Sequence, residues 1–264
     1  MPEPKRKGAT RISEIPPDIL KQLNAGEIEC ANLTECLAID SRVLLKNVLP
    51  ALKLNDALAP ALTRLDALKK PSLMQSIPVI ATALRAALKT EKQRKALATH
   101  SSDTVRCWAA YVIGQDDSLN LKDKLAAIRS FAADEHFGVR EIAWMAVRSG
   151  LDAQLTQAIA MLTEWTKEAD ANLRRFASEA TRPRGVWCKH IEALKQNPEL
   201  AYPILEPLKS DGSKYVRDSV ANWLNDASKS QPDWVREVCE LWATDSPTPE
   251  TKAIIKRALR TLEK

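Results

Sequence analysis

The segment Leu173-Arg174-Arg175-Phe176-Ala177 is one copy of a pattern that returns along the chain. An apolar residue precedes a basic one, and an apolar or small residue follows three positions later. Further copies are Val105-Arg106-Cys107-Trp108-Ala109, Val139-Arg140-Glu141-Ile142-Ala143, Val216-Arg217-Asp218-Ser219-Val220 and a weaker Ile255-Lys256-Arg257-Ala258-Leu259. The first steps, from Arg106 to Arg140 to Arg174, are 34 residues each. A fixed period of this length is the signature of a repeat protein.

Apolar residues at helical spacing lie between the copies. They include Leu121, Leu125 and Ile128, and then Leu155, Ile159, Leu162 and Trp165. No stretch alternates with period two, and seven glycines are too few for many strand turns. Each unit is therefore predicted to be a helix pair whose second helix opens with the basic motif. Such pairs stack into an all-α solenoid. Acids upstream of the motifs are predicted to cap helix N-termini: Asp103, Asp134, Asp170 and Asp211.

The N-terminal third lacks the motif and is punctuated by prolines at positions 50, 60, 71 and 78. We interpret it as irregular helices that cap the apolar end of the solenoid. Residues 1–10 are basic and without an apolar stretch, so we predict a disordered basic arm. Residues 11–264 are predicted to be a single repeat domain.

Composition excludes several classes of protein. The 264 residues carry 39 basic and 34 acidic side chains, a net charge of +5 that permits nucleic-acid binding without requiring it. Five cysteines without a CxxC pair suit a reducing cytosol. Cys188 and His190 alone make no zinc site, so we predict no metal and no cofactor. No apolar run is long enough to span a membrane. We expect a cytoplasmic, nucleoid-associated monomer.

The stretch from Asn172 to Trp187 contains four arginines, one glutamate and one tryptophan, and helix-breaking Pro183 and Gly185 flank its last arginine. This pattern is typical of a surface that holds an anion beside one carboxylate. Arg175, Arg182 and Arg184 are therefore candidates for binding an anion. For the repeated arginines 106, 140, 174 and 217, the alternative is a buried ladder that bonds the aspartate or a carbonyl of the neighbouring unit.

A polar stripe at helical spacing follows in the next repeat: Tyr215, Ser219, Asn222 and Asp226. Glu179 and Asp226 are the two carboxylates that these patterns place near basic residues. An alternative for Glu179 is a salt bridge to Arg175 or Arg182. For Asp226 the alternative is an interaction with Lys229 at the end of its helix.

Tryptophan is unusually frequent, with seven copies against three each of phenylalanine and tyrosine. Its broad π-face can stack on bases or contact cations. Trp165, Trp234 and Trp242 sit in apolar patterns and are predicted to be core. The three candidates for a binding surface, each with core packing as the alternative, are Trp108, Trp144 and Trp187.

The segment Arg174-Arg175-Phe176-Ala177-Ser178-Glu179-Ala180-Thr181-Arg182-Pro183-Arg184 resembles the RRxxSEGxRPR signature of AlkC-type bacterial DNA alkylation repair glycosylases. The segment from Tyr215 to Lys229 is similar to their YVRxSVANxLNDxxK motif. Phe137-Gly138-Val139-Arg140 is similar to a third, weaker motif, F-A-hydrophobic-R. The related AlkD group shares the fold and the class of chemistry.

The resemblance implies a HEAT-like solenoid that grips duplex DNA and excises cationic N-alkylated purines such as 3-methyladenine and also 7-methylguanine. Carboxylates would stabilise the sugar cation and position water. On this basis Glu179 and Asp226 are predicted to be catalytic, with Glu141 as a third carboxylate. The predicted DNA-binding residues are Arg140, Arg175, Arg182, Arg184, Trp144, Trp187 and Asn222.

The chain also departs from the family pattern. His136 stands where the family has a glutamate before the third motif, with Glu135 next to it, and Gly138 replaces an alanine. Two further hypotheses therefore remain open. One is a non-catalytic DNA-binding paralogue for damaged or branched DNA, and the other is a protein-binding scaffold in which the arginines form only the ladder.

Overall fold

The computed structural model describes residues 6–69 and 71–263. Within these ranges the chain forms helices joined by turns and has no β-strand, which confirms the predicted all-α class. The α-helices are α1 Pro17–Ala25, α2 Leu33–Ala38, α3 Ser41–Ala51, α4 Asn55–Asp66, α5 Leu73–Ala87, α6 Glu91–Ala98, α7 Asp103–Gly114, α8 Leu121–Ala132, α9 Phe137–Ala153, α10 Leu155–Trp165, α11 Ala171–Ala180, α12 Glu192–Gln196, α13 Tyr202–Leu205, α14 Lys214–Ser228, α15 Pro232–Asp245 and α16 Pro249–Ala258. Short 3₁₀ segments cover Ile12–Glu14, Pro198–Ala201, Glu206–Leu208 and Leu259–Thr261. No helix in the described part combines the length and apolar character that crossing a bilayer requires.

The chain divides into two compact units. The first comprises Met1–Ser118 and Glu135–Ala146, and the second comprises Leu119–Asp134 and Val147–Lys264. Helix α9 starts in the first unit and ends in the second. The assignment of residues 11–264 to one domain stays a prediction.

In the first unit, α4 packs on α5, α5 on α7, and α1 on α3. The core contains buried leucines and isoleucines, including Leu44, Leu65, Ile80 and Leu84. Helix α1 ends at Gly26, whose φ of +76° is a left-handed conformation that favours glycine. Prolines 50, 60 and 78 lie inside α3, α4 and α5 rather than between helices. The role of these helices as a cap stays a prediction.

The second half of the predicted basic arm is held against these helices. Arg6 forms an ion pair with buried Glu35, and the side chain of Asn32 donates to the carbonyl of Ala9 at 2.8 Å. Both contacts tie residues 6–10 down, in contrast to the disordered arm that we predicted. Residues 1–5 of that arm lie outside the described residues.

In the second unit, α11 packs on α14 and α14 on α16. Their core contains Phe176, Trp223 and Leu224. The Trp223 Nε1–H donates to the carbonyl of Thr181 at 3.0 Å, so this ring both fills the core and holds the end of α11. The predicted core positions of Trp165 and Trp242 are confirmed, since both are buried.

Four copies of the repeat motif lie in the first half of α7, α9, α11 and α14, as predicted. The weak fifth copy differs. It occupies the end of α16 and the 3₁₀ turn after it. The prediction that it opens a helix is wrong, because Pro249 starts that helix six residues earlier.

The repeated arginines have a common structural role. In each case the Nη1 group donates to backbone carbonyls five or six residues upstream: Arg106 to His100 and Ser101, Arg140 to Glu135, Arg174 to Glu168 and Ala169, and Arg217 to Asp211 and Gly212. Arg174 also binds Asp211 of the following repeat at 2.6 Å. The ladder hypothesis is therefore correct for Arg174. The hydrogen bonds from these arginines to upstream carbonyls instead hold the turn that precedes each arginine's own helix.

The acids upstream of the motifs do not all act as caps. Asp170 does, because its carboxylate accepts the Asn172 N–H at 2.8 Å. Asp103 instead accepts the N–H of Cys30 at 3.0 Å and is 2% exposed. Tertiary packing has thus drawn Asp103 away from its own helix end.

Candidate nucleic-acid interface and carboxylate site

Two helices of the second unit bring the two predicted catalytic carboxylates together. Glu179 lies in the last turn of α11 and Asp226 in the last turn of α14. Because α11 packs along α14, the two helix ends meet. Glu179 is 3% exposed and Asp226 is 4% exposed. Buried carboxylates need cations and hydrogen-bond donors, and this site supplies both.

Arg182 bridges the two carboxylates. Its Nη1 donates to Glu179 Oε1 at 2.7 Å, and its Nε donates to Asp226 Oδ2 at 2.8 Å. The Nη2 group lies 2.7 Å from the same Asp226 oxygen. One planar guanidinium thus fixes the relative position of the two acids. Arg182 is itself buried, so its role as a contact for DNA phosphate is not supported by its position.

Further hydrogen-bond donors and cations contact both carboxylates. Ser219 Oγ donates to Glu179 Oε2 at 2.7 Å, and Ser178 donates to Ser219 at 2.8 Å. Arg175 Nη2 is 3.5 Å from Glu179 Oε2. Lys229 Nζ donates to Asp226 Oδ1 at 3.2 Å. The alternatives from the sequence, salt bridges of Glu179 to Arg175 and Arg182 and of Asp226 to Lys229, are therefore all present.

The charges at this site set the protonation of Glu179. Burial raises the pKa of Glu179, but Arg175, Arg182 and the Ser219 hydroxyl outweigh it and hold the pKa below its ordinary value. Burial lowers the pKa of Arg182, but the two carboxylates reverse that effect and raise it. Glu179 is thus an anion at neutral pH although it is buried.

Arg175 lies on the ring of Tyr215. Its Cζ atom is 4.2 Å from the ring centroid, within the range of a cation–π contact. Tyr215 is half-buried and leads the polar stripe of α14 that continues through Ser219 and Asp226. Three members of the stripe predicted from helical spacing, Tyr215, Ser219 and Asp226, therefore line this site.

Asn222 is half-buried and is engaged by the C-terminal helix region. Its Oδ1 accepts from Arg257 Nε at 3.3 Å and from Arg260 Nη2 at 3.1 Å. The predicted contact with DNA would add to these bonds or replace them.

The loop after α11 carries Arg184 and Trp187. The Arg184 Nη2 group donates to Ser230 at 2.6 Å, whereas its buried Nε finds no acceptor among the described residues. Trp187 is 63% exposed and has a φ of +58°. An exposed tryptophan in a left-handed backbone conformation is uncommon, and such strain concentrates at functional sites.

Arg148 is a residue that the sequence analysis missed. It lies near the end of α9 within the second unit and is 4% exposed. Its three nitrogens donate to the carbonyls of Ala180 at 2.7 Å, Arg182 at 2.6 Å and Lys189 at 3.0 Å. Arg148 thus holds the chain on both sides of Arg182. Arg148 lies outside the repeated motif, so the sequence pattern gave no indication of its role.

The first unit contains the other three predicted residues. Arg140 lines a cavity of about 410 Å³. Glu141 is half-buried and accepts the Trp144 Nε1–H at 2.9 Å. Trp144 is 1% exposed and Trp108 is 0% exposed, so both rings adopt the alternative, core packing, and a contact of Trp144 with DNA is not supported by its position. Both rings fill the core because the repeat motif turns those positions inward.

Comparisons with known proteins find matches over the part of the chain that contains these carboxylates. A family model described as DNA alkylation repair enzyme matches residues 141–252, which include both carboxylates and all the arginines around them. Residues 141–252 thus carry the pattern of the DNA alkylation repair enzyme family, in agreement with the resemblance seen in the sequence. The predicted fold class, an all-α solenoid of HEAT-like helix pairs, is likewise confirmed.

Three of the proteins that are similar to the chain are informative. The uncharacterized protein YhaZ of Bacillus subtilis strain 168 is 44% identical over 135 residues, which is 51% of this chain and 37% of YhaZ. The alkylpurine DNA glycosylase AlkC of Pseudomonas fluorescens, solved with DNA containing an abasic-site analogue, matches 92% of this chain and 61% of its own, with a TM-score of 0.66 and 25% identity. AlkD2 of Streptococcus mutans matches 82% of this chain and 98% of its own, with a TM-score of 0.55 and 23% identity. The chain thus spans less than two thirds of YhaZ and of AlkC.

Proposed function

We propose that this protein is a glycosylase that excises cationic N-alkylated purines from duplex DNA, 3-methyladenine first and 7-methylguanine as a further substrate. The observation that carries the proposal is the pair of buried carboxylates, Glu179 and Asp226, held in one place by Arg182. The similarity to AlkC, which was solved on DNA with an abasic-site analogue, supports duplex DNA as the partner. We propose that the protein acts as a cytoplasmic monomer.

The proposed reaction needs no general acid from the protein. An N-alkylated purine is positively charged and leaves without protonation by a general acid. The electron pair of the N-glycosidic bond departs with the base, and positive charge develops on the sugar. Carboxylates that are fixed before the reaction stabilise this charge without reorganising. They also accept a proton from the water that attacks the sugar.

The cations of the site explain how carboxylates can face DNA. Arg175 and Lys229 each contact one carboxylate, and Arg182 contacts both. The backbone of bound DNA offers phosphates to Arg175 and Lys229. When these two cations turn to phosphate, the carboxylates keep only Arg182 and regain net negative charge for the sugar cation. Arg184 and Trp187 on the adjoining loop would add a further phosphate contact and a stacking ring.

The direct test is release of 3-methyladenine and 7-methylguanine from methylated duplex DNA by the purified protein. Glu179→Gln and Asp226→Asn keep the shape and remove the charge. Losing one preorganised electrostatic contact slows a reaction on the order of 10²–10³-fold, so each variant should excise that much more slowly. Glu192→Gln, which changes an exposed glutamate paired with Lys195, is the control and should excise at the parent rate. Equal rates in all four proteins would contradict the assignment.

A second candidate, a non-catalytic DNA-binding paralogue, is favoured by one observation. His136 stands at a family glutamate position, and it is buried with its Nδ1 atom 3.5 Å from Asp103. A histidine so placed in the first unit does not supply the missing carboxylate. If the parent binds methylated and unmethylated duplexes equally and releases no base, this function replaces the glycosylase. A salt-sensitive affinity that falls with Arg184→Ala would then still support the DNA interface.

A further inference from the structure

A cluster of potential metal ligands lies in the first unit, which the proposed reaction does not use. The Sγ atoms of Cys30 and Cys36 and a carboxylate oxygen of Asp103 all lie within 4.8 Å of one another. The three side chains are 2%, 5% and 2% exposed. They belong to three different segments of the chain: the connection between α1 and α2, helix α2 itself, and the first residue of α7.

Local structure explains why these groups converge. The Asp103 Oδ1 atom accepts the backbone N–H of Cys30 at 3.0 Å, which pins the connection to the start of α7. The Cys36 thiol donates to Asp103 Oδ2 with a sulfur–oxygen distance of 3.7 Å. Apolar side chains such as Leu23, Ile28 and Phe137 enclose the two cysteines. The ligand atoms are therefore held in place without any group from outside the unit.

The chemistry of this set points to a soft divalent cation. We propose that Cys30, Cys36 and Asp103 bind Zn²⁺. Zinc takes thiolate sulfur at about 2.3 Å and carboxylate oxygen at about 2.0–2.2 Å in a tetrahedron, which requires a sulfur–oxygen separation of about 3.5–3.7 Å. The separation of 3.7 Å between Cys36 and Asp103 meets that requirement. Binding releases the two thiol protons to solvent and leaves two thiolates and a carboxylate around the dication.

The fourth zinc position is left to water, because His136 is engaged elsewhere. Its Nδ1 atom lies 3.5 Å from Asp103 Oδ2 and accepts the backbone N–H of Gly138 at 3.2 Å. Its Nε2 atom is 2.7 Å from the carbonyl of Cys30. His136 and Cys30 also line the cavity of about 410 Å³, through which an ion can reach the cluster.

Zinc at this position would join α2 and the preceding connection to α7. Structural zinc contributes directly to the free energy of folding. The ion would therefore stabilise the N-terminal helices, and its loading is independent of DNA and of base excision.

The experiment measures metal on the full chain. Protein expressed with zinc and purified without chelator should carry one zinc per chain by mass spectrometry. Replacement by Co²⁺ should give a thiolate charge-transfer band and the intense visible bands of a tetrahedral ion. Removing zinc should lower Tm, and adding it back should restore Tm. Cys30→Ser, Cys36→Ser and the isosteric Asp103→Asn should each lose the bound metal, whereas Cys239→Ser, a buried cysteine of the second unit, should retain it.

Two results would overturn the proposal. One is a parent protein with zinc far below one per chain and no cobalt–thiolate band, a measurement that needs no variant to fold. The other is cobalt binding that survives in folded Asp103→Asn and Cys36→Ser. Loss of two titratable thiols on treatment with hydrogen peroxide, in a parent that binds no metal, would identify Cys30 and Cys36 as a disulfide-forming pair instead if neither Cys30→Ser nor Cys36→Ser shows that loss.

Discussion

The two units bury acidic side chains in opposite ways. In the second unit, Glu179 and Asp226 are neutralised by Arg182, with Arg175 and Lys229 at the sides. In the first unit, Asp103 is surrounded by a backbone N–H, a thiol and an imidazole. Both clusters are almost excluded from water, and neither resembles an exposed surface salt bridge.

The difference determines which ligand each cluster can bind. Guanidinium and ammonium groups can leave a carboxylate for a phosphate, so the second unit can respond to DNA. Thiols bind a cation when they lose their protons, so the first unit can respond to a metal. Four predictions test this contrast.

The largest expected effect is that of Arg182→Met. Removing the guanidinium leaves Glu179 and Asp226 buried beside each other, and breaking a buried ion pair from one side costs about 3–5 kcal/mol of the free energy of unfolding. Urea unfolding monitored by circular dichroism would measure it. Arg184→Met, in the same loop, should lose about 1 kcal/mol or less. Asp103→Asn in the metal-free protein should also lose less than Arg182→Met, because Asn keeps the acceptor for Cys30. Equal losses in all three would break the contrast.

A smaller loss of the free energy of unfolding is expected from Arg148→Met. The change removes three hydrogen bonds to the carbonyls of Ala180, Arg182 and Lys189. Unsatisfied buried acceptors cost about 1–3 kcal/mol, part of which water can recover as the loop relaxes. Base excision should fall as well, because Arg182 is then less firmly placed. If stability falls while single-turnover excision stays at the parent rate, Arg148 supports the fold without positioning the site.

Acid should weaken the second unit through Glu179. Its pKa lies below the ordinary value in the folded protein, so its stabilisation is fully present above the unfolded pKa, about 4.3. That stabilisation is lost as the pH falls through the folded pKa. Free energies of unfolding measured from pH 6 downward should therefore decline more steeply for the parent than for Glu179→Gln. Parallel pH profiles would show that Glu179 does not couple to folding.

The smallest expected effect on stability is that of Trp187→Ala. The ring is 63% exposed, so the free energy of unfolding should change by about 0.5 kcal/mol or less. Trp187→Gly should be at least as stable, because glycine relieves the positive φ. Under the proposed function, both variants should lose about 1–3 kcal/mol of DNA binding, the usual contribution of a stacked base. A marked fall in Tm with unchanged DNA affinity would make Trp187 a structural residue.

The sequence by itself determined the all-α class, the four main motif copies and the two carboxylates. These are local or periodic properties: the spacing of Arg106, Arg140 and Arg174 reflects a repeated helix pair, and the capping role of Asp170 needs only its own turn. The long motifs from Arg174 to Arg184 and from Tyr215 to Lys229 marked Glu179 and Asp226 without any structure.

Only the tertiary structure decided what these side chains touch. Burial separates Trp187, which is exposed, from Trp108 and Trp144, which are core, although all three looked alike in the sequence. Arg148 reaches carbonyls 32 to 41 residues away, and Asp103 meets cysteines 67 and 73 residues away. Such contacts depend on how the helices pack. The sequence pattern does not indicate them, because the paired residues are far apart in the chain and share neither a helix face nor a repeat position.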